Sequence, residues 1–174
     1  MNLPNQLTVL RVILIPVCLL LWALGQPVWA AAVFALAAFT DFLDGYIARK
    51  NNIVTVFGKF ADPVADKLLV LTTLIMLIHL GMMPAWIVIV ILCRELTVDG
   101  LRMVAVTKGH VIAAGKLGKW KTACQMVMIS AMLILDLSVY DSWPIAVLAG
   151  IVVMLTLVSG VEYFVRNASV LSEK

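Results

Sequence analysis

Residues 41–66 read DFLDGYIARKNNIVTVFGKFADPVAD. They place four aspartates, Asp41, Asp44, Asp62 and Asp66, in a chain where charge is otherwise scarce. A spacing of three or four residues returns to one face of a helix, so each pair projects its two carboxylates in one direction. Inside a bilayer an ionised side chain costs roughly 2.5–3.5 kcal/mol at a helix centre. Four at such spacings therefore call for a cation that they share.

The rest of the chain supplies the bilayer. Of 174 residues, 63% are hydrophobic and 13% charged, with mean hydropathy +1.07, far from an average soluble domain. Apolar runs lie near 7–24, 28–40, 68–80, 83–93, 123–137 and 143–165, and polar ends extend several of them towards the ~20 residues of a full span. The expectation is an all-α polytopic membrane protein with six transmembrane helices in a single domain, 1–174. Arg11 interrupts the first run and no basic stretch precedes it, which argues for a retained helix over a cleaved signal peptide. Cys18, Cys93 and Cys124 stand far apart in apolar segments, as buried small hydrophobes rather than a zinc or redox motif.

Lysine and arginine set the orientation. Arg49, Lys50 and Lys59 fall between the second and third runs. Arg102, Lys108, Lys116, Lys119 and Lys121 fall between the fourth and fifth, and Arg166 and Lys174 follow the sixth. The opposite connections, near 25–27, 79–84 and 136–142, contain neither residue. The positive-inside rule then puts both termini and both basic loops in the cytoplasm. Trp22, Trp29, Trp86 and Trp143 are expected as an aromatic belt at the outer ends.

At about 1.5 Å per residue, Asp41 and Asp44 lie about 20–24 Å inward from the outer end of the second helix, and Asp62 and Asp66 about 21–27 Å inward along the third. The short stretch between them keeps the helices adjacent, so all four carboxylates can point at one place near the cytoplasmic boundary. Oxygen ligands without a nearby His or Cys favour Mg2+ or Mn2+, and four carboxylates suffice for two ions. A metal pair suits phosphoryl transfer by stabilising the attacking and leaving oxygens of an in-line displacement. Singly, the residues have plainer readings: Asp62 before Pro63 is a helix N-cap pattern, and Asp41 or Asp44 is a helix-end residue paired with Arg49 or Lys50. The interleaved Gly45, Ala48 and Gly58 allow close approach of a ligand or another helix.

Asp41, Asp44, Gly45, Ala48, Arg49, Gly58, Asp62 and Asp66 together reproduce D-x2-D-G-x2-A-R-x8-G-x3-D-x3-D, which resembles the signature of the CDP-alcohol phosphotransferases. That resemblance implies a six-helix membrane enzyme that moves a phosphatidyl or similar group from a CDP-linked donor to an alcohol, releasing CMP. It implies that Asp41, Asp44, Asp62 and Asp66 hold two divalent cations and that Asp66 also takes the proton of the attacking hydroxyl. It further implies that Asp44, Gly45, Ala48, Arg49 and Gly58 receive the CDP moiety, Arg49 through its planar fork of donors. Membrane lipid and a second copy of the chain, in a homodimer, are the implied partners, and no nucleic acid is expected. The implied location is the cytoplasmic membrane of a bacterium, with the site facing the cytoplasm.

Three further segments resemble the branch of that family that pairs CDP-diacylglycerol with glycerol 3-phosphate. They are Pro4, Asn5, Leu7, Thr8 and Arg11; Arg94 with Glu95; and Gly118, Lys119, Lys121 and Thr122, followed by Gln125. Asn5, Thr8 and Arg11 recur every three residues and so share a helix face. Arg94 lies about 15 Å into the membrane at the standard rise and requires a partner there. Glu95, Asp99 and Arg102 share another face of its helix. The expected acceptor site therefore comprises Asn5, Thr8, Arg11, Arg94, Arg102, Lys119 and Lys121, with plain topology and lipid attraction as the alternative for the lysines.

Rival readings remain at this level. The same chemistry could serve inositol phosphate, serine or phosphatidylglycerol. Intramembrane acids also suit a divalent-cation transporter, although the outer halves of the second and third helices offer only Thr72, Thr73 and His79 for an ion path. A noncatalytic assembly subunit would have no evident use for four converging acids. His79 and His110 lack ligand-spaced partners and are read as interfacial or loop residues, and the nine methionines as packing or lipid-facing groups.

Overall fold

The structure is a computed structural model. It describes the backbone of residues 3–51, 56–108, 112 and 115–168, with side chains throughout these ranges except at 3, 4, 41, 42, 44–51, 56–63 and 66. Among the described residues there are six α-helices and no strand: α1 (Leu3–Ala23), α2 (Pro27–Asn51), α3 (Val56–His79), α4 (Ala85–Thr107), α5 (Lys116–Leu135) and α6 (Trp143–Arg166). Each coincides with one of the expected apolar runs to within two residues at the run's outer end. Among the described residues, two stretches, Asn5–Ala23 and Trp143–Arg166, are long and apolar enough to cross a membrane. Only 28% of the apolar window in each is buried in the protein, so both direct most of their hydrophobic surface outward, unlike the core helix of a soluble domain.

One compact unit holds α1, α2, α3 and residues Ile129–Leu137. Within it α1 packs on α2 and α3, and α2 packs on α3. The buried stripe of α1 is Asn5, Thr8, Arg11, Ile15, Cys18 and Trp22, with three- and four-residue spacing that keeps one helix face inward. Its first half is polar and its second apolar. Small residues of α2, Ala30, Ala31 and Ala37, are buried beside Phe34, and the Cys18 thiol donates to the Ala30 carbonyl at 3.3 Å. A side chain of α1 thus reaches the backbone of α2, an approach that alanine permits.

The second unit holds α4, α6 and α5 as far as Met128, with α4 packed on α6. The buried residues Ile87, Ile91, Val98, Leu101 and Ala105 of α4, and Ile145, Ala149, Val152, Thr156, Ser159 and Tyr163 of α6, follow the same helical stripe. Val98, Leu101 and Tyr163 form a core patch against which Ile112 and Phe164 pack.

Local chemistry stops the helices where the polarity changes. After α1, Gly25 takes φ +70, its amide bonds to the Trp22 carbonyl at 2.9 Å, and the Gln26 amide bonds to Leu21 at 3.0 Å. This is a Schellman ending, which needs a left-handed residue. Asp136 takes that conformation after α5, with φ 51, and the Leu137 amide bonds to Met132 at 3.2 Å.

The expected basic connections shorten. Arg102 belongs to α4, and Lys116, Lys119 and Lys121 belong to α5, so of that group only Lys108 follows a helix end. Trp29, Trp86 and Trp143 stand exposed in the first turns of α2, α4 and α6, whereas Trp22 is buried in the α1 stripe, contrary to a belt position. Of the cysteines, Cys18 is buried, Cys93 exposed and Cys124 half-buried, so a buried role holds for Cys18. His79 ends α3 and is exposed, while His110 lies outside the described residues.

Ala30→Leu inserts a branched side chain where α1 and α2 touch, and should lower stability by about 1–3 kcal/mol. Ala32→Leu, on the exposed side of the same helix, should change it by less than about 0.5 kcal/mol. Reversible unfolding in detergent, monitored by helical circular dichroism, measures both.

Candidate active site

Asp41 and Asp44 lie in α2, and Asp62 and Asp66 in α3. These two helices pack on each other, as their short connection requires. The side chains of all four aspartates, and of Gly45, Ala48, Arg49 and Gly58 in the donor set, lie outside the described residues. The helix bounds nevertheless decide whether these acids stand at helix ends. Because α3 begins at Val56, Asp62 and Pro63 are inside the helix rather than at its N-cap. Because α2 runs to Asn51, Asp41 and Asp44 are likewise interior, while their pairing with Arg49 or Lys50 falls on side chains outside the described residues. Four carboxylate-bearing positions on two packed helices provide an all-oxygen donor set that fits hard divalent cations. Among the described residues no three His, Cys, Asp or Glu side chains converge at metal-binding range.

The polar half of the α1 stripe meets its expectation of a common face. Asn5, Thr8 and Arg11 are 9%, 1% and 0% exposed, and each has an interaction partner.

The most fully defined polar group lies in the second unit. Arg94 occupies the inward stripe of α4. Its Nη1 donates to Glu95 Oε1 at 2.9 Å and its Nη2 to Ser159 Oγ, on α6, at 3.2 Å. Lys121 Nζ, on α5, donates to the same Glu95 oxygen at 2.7 Å. Its side chain is only 3% exposed, so an ammonium is held almost entirely out of solvent by this carboxylate. One anion therefore serves two cations, and the trio keeps a net positive charge. Tight packing fixes the arginine. A Cβ on Gly118 would stand 3.3 Å from Arg94 Nη2, and one on Gly160 3.2 Å from Arg94 Cγ. Glycine at both positions lets α5 and α6 close around the guanidinium.

The other expected acceptor residues divide. Arg102 Nε donates to the Tyr163 hydroxyl at 3.1 Å, with its guanidinium carbon 5.6 Å from the ring centroid, so a hydrogen bond and a cation–π contact hold it to α6. Lys119 is exposed and takes no part in the Arg94, Glu95 and Lys121 cluster. The two lysines of the 118–122 segment thus face different surroundings, as residues two apart on a helix must. Sequence reading missed three participants: Glu95 as the common anion, and Ser159 and Tyr163 as partners on α6. A signal was present, because Thr156, Ser159, Gly160 and Tyr163 form a polar and small stripe at helical spacing in an otherwise apolar segment.

Comparison with known proteins identifies the family. The family model for CDP-alcohol phosphatidyltransferase matches residues 1–162. The chain is 45% identical over 184 residues to the CDP-diacylglycerol--glycerol-3-phosphate 3-phosphatidyltransferase of Bacillus subtilis (strain 168), covering 95% of each chain. It is 41% identical over 171 residues to a probable phosphatidylglycerophosphate synthase of Mycobacterium tuberculosis (strain ATCC 25618 / H37Rv), covering 95% of this chain and 81% of that one. A Rickettsia typhi protein with the same name as the Bacillus relative is 38% identical over 169 residues, covering 94% and 95%. The chain belongs to the CDP-alcohol phosphatidyltransferase family.

Glu95→Gln leaves the buried Lys121 ammonium without its counter-charge and should destabilise the protein by about 3 kcal/mol, the low end for breaking a buried pair. Glu95→Gln combined with Lys121→Met should recover much of that loss, because both charges are then gone. Thermal unfolding of the two single variants and the double variant gives the coupling.

Proposed function

We propose that this chain transfers the phosphatidyl group of CDP-diacylglycerol to sn-glycerol 3-phosphate, giving phosphatidylglycerophosphate and CMP. The observation that carries the acceptor is the cluster of Arg94 and Lys121 around the single carboxylate of Glu95. The buried Lys121 and the partly buried Arg94 share one counter-ion, and the surplus positive charge favours an anionic acceptor over a zwitterion such as serine, which brings no net charge. The names of the relatives, which print glycerol 3-phosphate as substrate, support the same reading.

In this reading Asp41, Asp44, Asp62 and Asp66 hold two divalent cations, Mg2+ or Mn2+. When bound, such ions neutralise the donor diphosphate and acidify the attacking hydroxyl. Arg49 grips the diphosphate, and Asp44, Gly45, Ala48 and Gly58 complete the CDP site. Asp66 accepts the proton from the acceptor hydroxyl. The acceptor oxygen bonds to the lipid-proximal phosphorus as the bond from that phosphorus to the bridging diphosphate oxygen breaks, and CMP departs with those electrons. Arg94 and Lys121 hold the acceptor phosphate. Asn5, Thr8 and Arg11 offer polar groups on α1, and Arg102 and Lys119 add positive charge to the second unit. No covalent enzyme intermediate is needed, since one displacement completes the transfer.

The same reading makes residues 1–174 one catalytic domain, with all six helices spanning the cytoplasmic membrane of a bacterium, both termini and the site cytoplasmic, and two copies forming a homodimer. The exposed tryptophans opening α2, α4 and α6, beside connections that lack Lys and Arg, support that orientation. A transport role is weakened by the threonines of α3. Thr72 donates its hydroxyl to the Leu68 carbonyl at 2.5 Å and Thr73 to that of Leu69 at 2.7 Å, both in their own helix, so both hydroxyl donors are already engaged with the backbone.

The deciding experiment is CMP release by purified protein in detergent with CDP-diacylglycerol and Mg2+. Glycerol 3-phosphate, inositol phosphate, serine and phosphatidylglycerol are compared as acceptors. Turnover is expected with glycerol 3-phosphate alone, to be lost on chelation of the metal and in Asp66→Asn. Turnover with a different acceptor would overturn the assignment of Arg94 and Lys121. Arg94→Lys cannot reproduce the fork that meets Glu95 and Ser159 together, and should lower kcat/KM for glycerol 3-phosphate roughly 10- to 100-fold.

A further inference from the structure

One side chain of α5 and one nitrogen of Arg94 itself are buried without a hydrogen bond. Gln125 on α5 is 2% exposed, and among the described residues neither its amide nitrogen Nε2 nor its oxygen Oε1 has a hydrogen-bond partner. Arg94 Nε is buried and unpartnered in the same way. A buried amide that makes no hydrogen bond costs about 1–3 kcal/mol per orphaned group, so two unsatisfied atoms on one residue indicate a cost that binding can relieve. Gln125 follows Lys121 by four residues on α5, which puts it one turn along the same helix face, and Lys121 is anchored to Glu95 on α4.

The chemistry of the orphaned atoms identifies what would satisfy them. A phosphate at pH 7 offers only acceptors, and it is matched by the donors of Arg94 and Lys121. Gln125 presents a donor and an acceptor together, the complement of a hydroxyl, which also carries one of each. In glycerol 3-phosphate the carbon next to the phosphate-bearing one holds such a hydroxyl, and it is not the one that attacks.

We propose that Gln125 is a specificity-determining residue that hydrogen-bonds the secondary hydroxyl of the acceptor, while Arg94 and Lys121 hold its phosphate. This rests on the proposed transfer to glycerol 3-phosphate and adds to it a reader for the acceptor's carbon skeleton. A site that spends buried hydrogen-bonding groups on a substrate hydroxyl discriminates strongly against the analogue lacking it, because its own groups are then left unpaired.

The test compares glycerol 3-phosphate with 3-hydroxypropyl phosphate, which keeps the phosphate and the attacking hydroxyl but lacks the secondary one. CMP release is measured with each acceptor for the unaltered enzyme and for Gln125→Met, a substitution of similar length without hydrogen-bonding groups. The unaltered enzyme should prefer glycerol 3-phosphate by about 100-fold in kcat/KM, and the variant should bring that ratio below about 5-fold. Since the variant removes two orphaned polar atoms, its melting temperature should equal or exceed that of the unaltered protein. Equal loss with both acceptors at an undiminished ratio would overturn the proposal, as would a variant that melts well below the unaltered protein or fails to fold, because the amide would then be structural. Absence of turnover with glycerol 3-phosphate in the unaltered enzyme would instead refute the underlying function, a result visible before any variant is made.

Discussion

A single carboxylate, Glu95, stands between the guanidinium of Arg94 and the ammonium of Lys121, and the second unit depends on that arrangement. Charges withdrawn from water carry a desolvation cost of several kcal/mol each, recovered only by close partners of opposite sign. Neither cation could occupy an inward helix face without the anion, and the anion could not lie there without them. The bridge also ties α4 to α5, while the second arm of the guanidinium reaches Ser159 on α6. Gly118 and Gly160 follow from it, since a methyl group at either position would press on the arginine. The trio retains one unit of positive charge, and that surplus is what the proposed acceptor site draws on.

The helices share a design in which one inward stripe changes character along its length. On α1 the stripe runs from Asn5, Thr8 and Arg11 to Ile15, Cys18 and Trp22. On α5 it runs from Lys121 and Gln125 to Met128 and Met132, and on α6 from Ile145 and Ala149 to Thr156, Ser159 and Tyr163. The apolar portion packs, and the polar portion is available for chemistry. In lipid the outward faces gain nothing from withdrawing, because the solvent is as apolar as they are, so close packing and polar contacts must hold the helices together. Ala30, with a thiol of α1 against its carbonyl, is the packing half of that rule, and Glu95 is the polar half.

Gln125 shows how stability and function separate in such a setting. Its amide is buried among the packed positions of α5 with no partner among the described residues, an arrangement that an apolar side chain would improve for folding alone. Local conflicts of this kind concentrate where a protein binds or reacts. The Glu95 bridge differs, because there the Glu95 carboxylate, the Lys121 ammonium and the Nη atoms of Arg94 engage close partners, and only Arg94 Nε is left over.

Much of this was legible in the chain itself. Six helices, their order, the polar face of α1 and the adjacency of α2 and α3 follow from hydrophobic periodicity and loop length, which are local properties. The 41–66 signature pointed to the family that the comparisons identify, because metal and nucleotide chemistry constrains residue type at fixed spacing within neighbouring helices. Helix ends were less legible: Asp62 with Pro63 carries an N-cap pattern, yet α3 starts about two turns earlier, at Val56. The partners that distant helices bring to Arg94 and Glu95 were not legible. Ser159 is 65 residues from Arg94 and Lys121 is 26 residues from Glu95, and nothing local selects which face of α6 meets α4. Tertiary packing decided that Lys121 is buried and Lys119 exposed, that Arg102 lies on Tyr163, and that one acid serves two bases. The physical reason is that spacing fixes which residues share a helix face, whereas the partner of a buried charge is chosen by which faces of distant helices come within hydrogen-bonding reach.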